Sequence, residues 1–249
     1  MTRMKEGVSW VLPILFLILV WELIAQSRLV PIYLFPPFST VMLSLWLLTV
    51  QGVLPHNLAS SLLRVIAGFV LGGLAGVLVG IAMGVNSKLN RTFSPIFSLL
   101  MPIPALGWAP LFMLWIGINE LLPIALVFMC SFFPVLYNTV TGIRNVESGY
   151  LQASKTLGAS KMKVLTTVLL PLALPNILTG LRLEAGMAWR VIIAAEMVAI
   201  PTGIGALMIR SESLLRVDVI MVCLIILSLM CLLFEKIFLK FEERTIHWR

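Results

Sequence analysis

Apolar residues run along this chain in long blocks separated by short polar stretches. Six blocks stand out: roughly Val8–Ala25, Leu58–Met83, Phe93–Gly117, Leu121–Ile143, Asn176–Ile200 and Val219–Phe238. An α-helix rises about 1.5 Å per residue, so each block is long enough to cross a hydrocarbon core of about 30 Å. The expected fold is all-α and polytopic, with about six transmembrane helices. Pro95, Pro102, Pro104, Pro110, Pro123 and Pro134 interrupt the third and fourth blocks. Such kinks survive in lipid only where neighbouring helices or a wet cavity satisfy the freed carbonyls. Between the first two blocks, Pro31–His56 carries Pro36-Pro37 and then Ser39–Val50, an apolar stretch too short to cross and expected to lie at the interface. Arg3 and Lys5 precede the first block as they would a secretory signal, but its length and the blocks after it favour an uncleaved helix over cleavage near Ser27.

Composition puts the solvent beyond question. Of 249 residues, 60% are hydrophobic and 12% charged, and the mean hydropathy is +1.05. Soluble domains carry about a quarter charged residues, and one water-exposed core of this size could not hide so much apolar surface. The net charge of +7 suggests nucleic acid at first sight, but the basic residues sit mainly between the apolar blocks. With the N-terminus inside, the cytoplasmic segments collect Arg3, Lys5, Lys88, Arg91, Arg144, Lys155, Lys161, Lys163, Lys236, Lys240, Arg244 and Arg249, whereas the outer ones hold Arg28, Arg210 and Arg216. That asymmetry sets topology in short loops and puts both termini in the cytoplasm. The expected setting is the cell (inner) membrane, multi-pass, with lipid as partner and no nucleic acid. The chain divides into 1–56 (first transmembrane helix and an extracytoplasmic or interfacial segment), 57–240 (core transmembrane domain) and 241–249 (cytoplasmic tail).

The second block carries Gly68, Gly72, Gly76, Gly80 and Gly84, one every four residues. Such glycines form a gently winding seam on which another helix backbone can lie closely. Cys130, Cys223 and Cys231 fall inside apolar blocks with no CxxC and no nearby His pair, so they read as small apolar filler rather than a metal or redox site.

The longest charged interruption, Arg144–Lys163, continues into Leu170–Pro175. Tyr150–Leu157 holds good helix formers, with Leu151, Ser154 and Leu157 at helical spacing. Gly158 stops this helix by tolerating positive φ. Ser160 caps a second helix from Lys161 to about Leu170, and Pro171 and Pro175 are expected to break it where the next span begins. A short surface helix, a sharp turn and a kinked re-entry follow.

Gln152-Ala153-Ser154, then Gly158-Ala159-Ser160, then Leu170-Pro171-Leu172-Ala173-Leu174-Pro175 resembles the "EAA" loop of binding-protein-dependent type I (MetI-like) ABC importer permeases. Pro102-Ile103-Pro104 with Trp108-Ala109-Pro110-Leu111 and Leu114-Trp115-Ile116-Gly117 is similar to the nitrate/sulfonate/taurine-type branch. So are Ser61-Leu62-Leu63-Arg64 with Gly68-Phe69 and Gly72, Gly180-Leu181-Arg182-Leu183, and Ala194-Ala195-Glu196-Met197. The likeness runs from about Pro36 to Phe238. The branch also includes permeases for bicarbonate, thiamine-precursor pyrimidines and riboflavin-like molecules. Where the loop pattern begins with an acid this chain has Gln152, and its second small residue is Ser154, which puts a salt bridge from that acid in doubt.

The resemblance implies a permease subunit of an ATP-driven importer, moving a small polar or anionic solute by alternating access. It implies that Gln152, Ala153, Ser154, Lys155, Leu157, Gly158, Ala159 and Ser160 form the ATPase-coupling loop, docked into a dimeric cytoplasmic ATPase. No P-loop GxxxxGK[ST] occurs, so ATP and magnesium belong to that partner, and neither catalytic residues nor a bound cofactor or metal is expected in this chain. An extracytoplasmic solute-binding protein and a second permease copy, most simply a homodimer, complete the assembly. Pro201–Arg216, with Gly203 and Gly205, is a candidate contact for the binding protein.

Arg64, Arg182, Glu184, Arg190 and Glu196 are ionisable residues within the spans. Each would cost about 2.5–3.5 kcal/mol facing lipid, so they should face protein or water. Arg182 and Glu184 lie near the cytoplasmic end of the fifth span, within reach of the interface. Trp189 and Arg190 lie near its middle, and Glu196 toward the outer end, where Arg64 could reach it. Arg190, Trp189 and Glu196 are the candidate pathway residues, with a structural interhelical ion pair as the competing reading. With only His56 and His247, and neither HExxH nor GxSxG, an intramembrane protease lacks its parts. A channel or ion-coupled carrier would leave the coupling loop without a purpose.

Overall fold

The computed structural model describes residues 2–27 and 29–245; side chains are described for all of these except residues 2–11 and 199. The expected roles of Arg3, Lys5, Arg28 and Arg249, and the end of the tail, lie outside that description. Among the described residues eleven α-helices follow in order: α1 Thr2–Gln26, α2 Phe38–Val50, α3 Val53–Val85, α4 Ser87–Leu100, α5 Ala109–Trp115, α6 Leu121–Arg144, α7 Ser148–Thr156, α8 Lys161–Val164, α9 Leu170–Ala199, α10 Ile204–Ser213 and α11 Val217–Thr245. Among the described residues, four helices are long and apolar enough to cross a membrane: α3, α6, the continuous Lys161–Val198 helix and α11.

The block expected at Phe93–Gly117 is not one straight helix. α4 and α5 meet at 88° across Pro102-Ile103-Pro104, with a short 3₁₀ turn at Ala105–Trp108. Two prolines two residues apart remove two backbone donors and their rings clash with the preceding turn, so one straight helix cannot pass. Pro110 and Pro123 fall in the opening turns of α5 and α6, where a missing N–H costs nothing. Pro134 sits inside α6 without ending it, its carbonyl accepting from the Asn138 amide (2.9 Å).

The expected break at Pro171 and Pro175 does not occur. A π-turn at Leu165–Leu169 joins α8 to α9 without interruption. The wider turn takes the i→i+5 pattern just before Pro171, which enters the first turn of α9, where its missing donor leaves no gap. Pro175 lies inside α9, and its own carbonyl accepts from Thr179 Oγ1 (2.9 Å).

The glycine seam packs on α6. A β-carbon at Gly68, Gly72 or Gly76 would stand 2.7, 2.6 and 2.7 Å from the carbonyl oxygens of Ile124, Phe128 and Phe132, and one at Gly80 would stand 2.6 Å from Thr139 Cβ. Both helices advance four residues per contact in the same sense, so α3 and α6 run parallel. α9 runs against them: a Gly142 β-carbon would meet Asn176 Cβ and Ala173 O, and one at Gly180 would meet Asn138 Cβ. Apolar side chains gain little by leaving lipid, so close backbone approach supplies the contact instead. Leu63, Leu71, Leu74 and Leu78 stand exposed on another face of α3, as a lipid-facing side requires.

α2 is better held than an interfacial helix needs to be. Val41, Ser44 and Leu48 are buried, and Ser44 Oγ donates to Asp218 Oδ2 at the start of α11 (2.5 Å). α1 joins the body through α2, with Trp21 Nε1 donating to Pro36 O (3.0 Å) and Glu22 accepting from the Ser39 hydroxyl (2.9 Å). The block expected at Val8–Ala25 falls within α1, whose apolar stretch with described side chains is Leu12–Gln26.

Candidate coupling loop and membrane cavity

At the end of α6 where the basic residues gather, the chain leaves the bundle and forms α7. Its termination follows from Gly158, which has φ +73°. Gly158 N–H donates to Lys155 O (2.9 Å) and Ala159 N–H to Ser154 O (3.0 Å), the paired bonds of a Schellman turn, and a left-handed residue is required there. Ser160 Oγ then accepts from Lys163 N–H (3.4 Å) and opens α8. Leu151 and Ser154 are half-buried, while Gln152, Ala153, Lys155, Leu157 and Gly158 are exposed. Leu157 is 85% exposed and Tyr150 54%, so apolar surface faces away from the bundle at its most basic end. A β-carbon at Gly158 would meet nothing within 4 Å, so the glycine is there for its backbone and not for space.

At the other end of the bundle lies a polar network, largely buried, with Glu120 exposed at its rim. Arg64 on α3 grips Glu120, just before α6, through a fork: Nε to Oε2 at 2.6 Å and Nη2 to Oε1 at 2.8 Å. Its Nη1 donates to Glu196 Oε1 on α9 (2.7 Å) and to Thr202 O (2.9 Å), and Nη2 to Thr202 Oγ1 (2.6 Å). All five guanidinium protons are thereby placed. Glu196, wholly buried, also accepts from Ser61 Oγ (2.8 Å) and Gly205 N–H (3.1 Å). Asn57 Oδ1 accepts from Gly203 N–H and Ser61 Oγ from Ile204 N–H, both at 2.9 Å. Gly203 has φ +110° and packs on the Glu196 carboxylate, and Gly205 packs on the Ile193 carbonyl. The network thus clips the segment after α9 onto α3 and α9. The expected outer loop Pro201–Arg216 is mostly the helix α10.

Between them a cavity of about 390 Å³ lies where the Met101–Trp108 break faces α6 and α9. Arg190, Glu184, Met187 and Val191 line it from α9, and Met129, Cys130 and Phe133 from α6. Of the three expected pathway residues, only Arg190 lines this cavity. Trp189 is wholly buried on the side facing α11, its ring 5.4 Å from that of Phe234, because one residue along a helix turns the side chain by about 100°. Glu196 belongs to the outer network. Arg182 and Glu184 do not simply reach the interface either. Arg182 pairs with Glu242 on α11 (2.9 Å), and Glu184 is buried in the cavity wall.

Residues 72–247 match the family described as the binding-protein-dependent transport system inner membrane component. The chain belongs to this family. It is 36% identical to a protein of Methanocaldococcus jannaschii assigned to the ABC transporter permeases, over 93% of this chain and 88% of that one. It is 33% identical to the taurine transport system permease protein TauC of Escherichia coli, over 93% of this chain and 86% of TauC. Its fold superposes on the crystal structure of an amino acid ABC transporter with histidines at a TM-score of 0.66 and 19% identity, covering 80% of this chain and 97% of that one. The chain is therefore the helical, membrane-embedded permease subunit of an ABC importer, and its relatives include a taurine permease.

Sequence reasoning missed the roles of Asn57, Thr202, Glu120 and Glu184 in these sites. Glu120 is an acid in a short connection, and only the fold brings it to Arg64. Glu184 carried a signal, an acid inside an apolar span, but its place in a cavity wall depends on the break at Pro102–Pro104.

Proposed function

We propose that this permease works as one half of a homodimer that carries a small polar or anionic solute across the inner membrane by alternating access. α7 and the Gly158 turn serve as the coupling helix, docked into a cleft on a separate dimeric ATPase. The observation that carries this reading is α7 itself, a nine-residue helix with exposed Tyr150 and Leu157 beyond the bundle, ended by a glycine turn. Apolar side chains outside the lipid zone call for a protein partner. ATP and magnesium are bound by that partner, and this chain hydrolyses nothing. The Lys and Arg distribution supports cytoplasmic termini and places α10 on the outer side, as a contact for a solute-binding protein. Four spanning helices and the bent α4–α5 pair are few to enclose a pathway, which favours one formed between two permease copies, with Arg190 on its wall. Relatives include a taurine permease, which supports a small charged solute.

Co-purification tests the assignment. Tagged permease in mild detergent should retain an ATPase, and Gly158→Val should lose most of it while keeping its helix content, because a β-branched residue at φ +73° misplaces the turn and not the bundle. A well-folded wild type that retains no ATPase would overturn the reading.

A further inference from the structure

Three layers follow one another in the same order along two antiparallel helices. On α9 the cavity wall comes first, with Glu184, Met187 and Arg190. α5 and the turn before it then pack at Val191 and Ala195, and the polar network takes Glu196 and, beyond the helix, Thr202 and Gly205. On α6, read toward its start, Phe133 and Cys130 line the cavity, Leu126 and Leu122 carry α5, and Glu120 joins the network. α5 therefore lies between the cavity and the outer end of the bundle. Its layer is tightly closed: Ala109, Leu122, Leu126 and Ala195 are buried, with Trp108, Phe112 and Met113 packed against them.

This layer is jointed at both ends. The 88° bend at Pro102–Pro104 separates it from α4, and Gly117, at φ +84°, separates it from α6. A short helix between two such joints can turn as a piece without unwinding a span. What fixes the second joint is Glu120, three residues beyond Gly117. Among the described residues its carboxylate bonds only to Arg64, and it gives no capping bond to α6; Asn119 Oδ1 does that, accepting from Leu121 N–H (2.9 Å). The two carboxylates on Arg64 differ in setting. Glu196 is wholly buried and also held by Ser61 and Gly205, whereas the Glu120 side chain is 63% exposed. Water competes for an exposed ion pair far more than for a buried one, so the Glu120 fork is the side that lets go first.

We propose that α5 is a hinged plug between the cavity and the outer face, and that the Glu120–Arg64 fork is the latch that holds it shut. Release of Glu120 leaves Arg64 on Glu196 and Thr202, so the plug opens while the clip on α10 stays in place. The inference rests on the permease reading and names the residue that sets how readily the cavity opens outward.

Cys130, in the cavity wall, supplies the reporter. With Cys223 and Cys231 replaced by alanine it is the single thiol of the full-length chain. The permease–ATPase complex in sealed right-side-out membrane vesicles is exposed to a membrane-impermeant, cationic methanethiosulfonate added outside. With the latch intact, Cys130 should label slowly. Glu120→Ala should label about fivefold faster, the population shift expected of one rim ion pair. Loss of a rim carboxylate would by itself slow a cationic probe, so acceleration reads the plug and not the local charge. Glu22→Ala removes a carboxylate that ties α1 to α2, away from the plug, and should label at the unaltered rate. Cys130 labelling as fast as an exposed thiol with the latch intact, no acceleration in Glu120→Ala, or equal acceleration in Glu22→Ala would overturn the proposal. Retention of the ATPase in the same vesicles keeps that failure distinct from failure of the permease reading.

Discussion

Replacing Gly72 and Gly76 together by alanine adds two methyl groups where α3 and α6 lie closest. At these positions the new β-carbons would stand 2.6 and 2.7 Å from the carbonyl oxygens of Phe128 and Phe132, and 3.1 Å from the β-carbons of Ser131 and Val135. A C···O contact settles at about 3.3 Å or more, so the helices must part by several tenths of an ångström along the seam. A gap of about 0.5–1 Å forfeits a quarter to a half of the dispersion attraction it spans, and overpacking of this kind costs about 1–3 kcal/mol per site. Alanine's better helix propensity returns up to about 1 kcal/mol per site, leaving a net loss. Gly186, also in a helix, supplies the control, because a β-carbon there would meet nothing within 4 Å. Thermal melts in one detergent, followed by circular dichroism and tryptophan fluorescence, should place the double variant about 4–10 °C below wild type. Gly186→Ala should melt at or above wild type. A seam variant as stable as wild type, or a Gly186 variant destabilised to the same extent, would refute the argument that these glycines exist for close approach.

Two further predictions concern the outer network and the topology. Arg64→Gln leaves Glu196 buried without its cation, which costs about 3–5 kcal/mol, and adding Glu196→Gln should recover part of that loss. Thermal melts of the single and double variants close the cycle, and purely additive losses would contradict the pairing. In a background with the three native cysteines removed, a cysteine replacing Arg210 should react with an impermeant maleimide applied outside intact cells, and cysteines replacing Lys88 or Lys161 should not. The reverse pattern would invert the proposed orientation.

Where local chemistry decides, the structure follows the sequence closely. The seam glycines announce close packing because five glycines at a spacing of four have few other uses. The Gly158 turn and the Ser160 cap are set by residues within one turn of themselves. Arg64 and Glu196 were foreseeable as partners because an ionisable side chain in lipid must find one. What stayed hidden depends on how distant elements meet. Nothing in the spacing of glycines says that their partner is α6. Pro171 looks like a helix breaker until the π-turn before it is seen, and a π-turn has no residue signature as plain as a proline. α10 is short and opens between Gly203 and Gly205, and it reads as loop until the polar network that anchors its start is in view. Trp189 and Arg190 are neighbours in sequence, yet one is core and the other lines a cavity.

The claim at the centre of this account is that Leu157 and the turn beside it are where an ATPase engages the permease. A photoreactive amino acid at position 157 places a crosslinker on a side chain of that turn that is 85% exposed, with Leu78, 67% exposed on the apolar flank of α3, as the control site. Irradiated in membranes, the position 157 variant should give an adduct of the permease with one polypeptide that carries a P-loop, and the position 78 variant should not. Adducts with lipid alone at position 157, or the same ATPase captured equally from position 78, would contradict it.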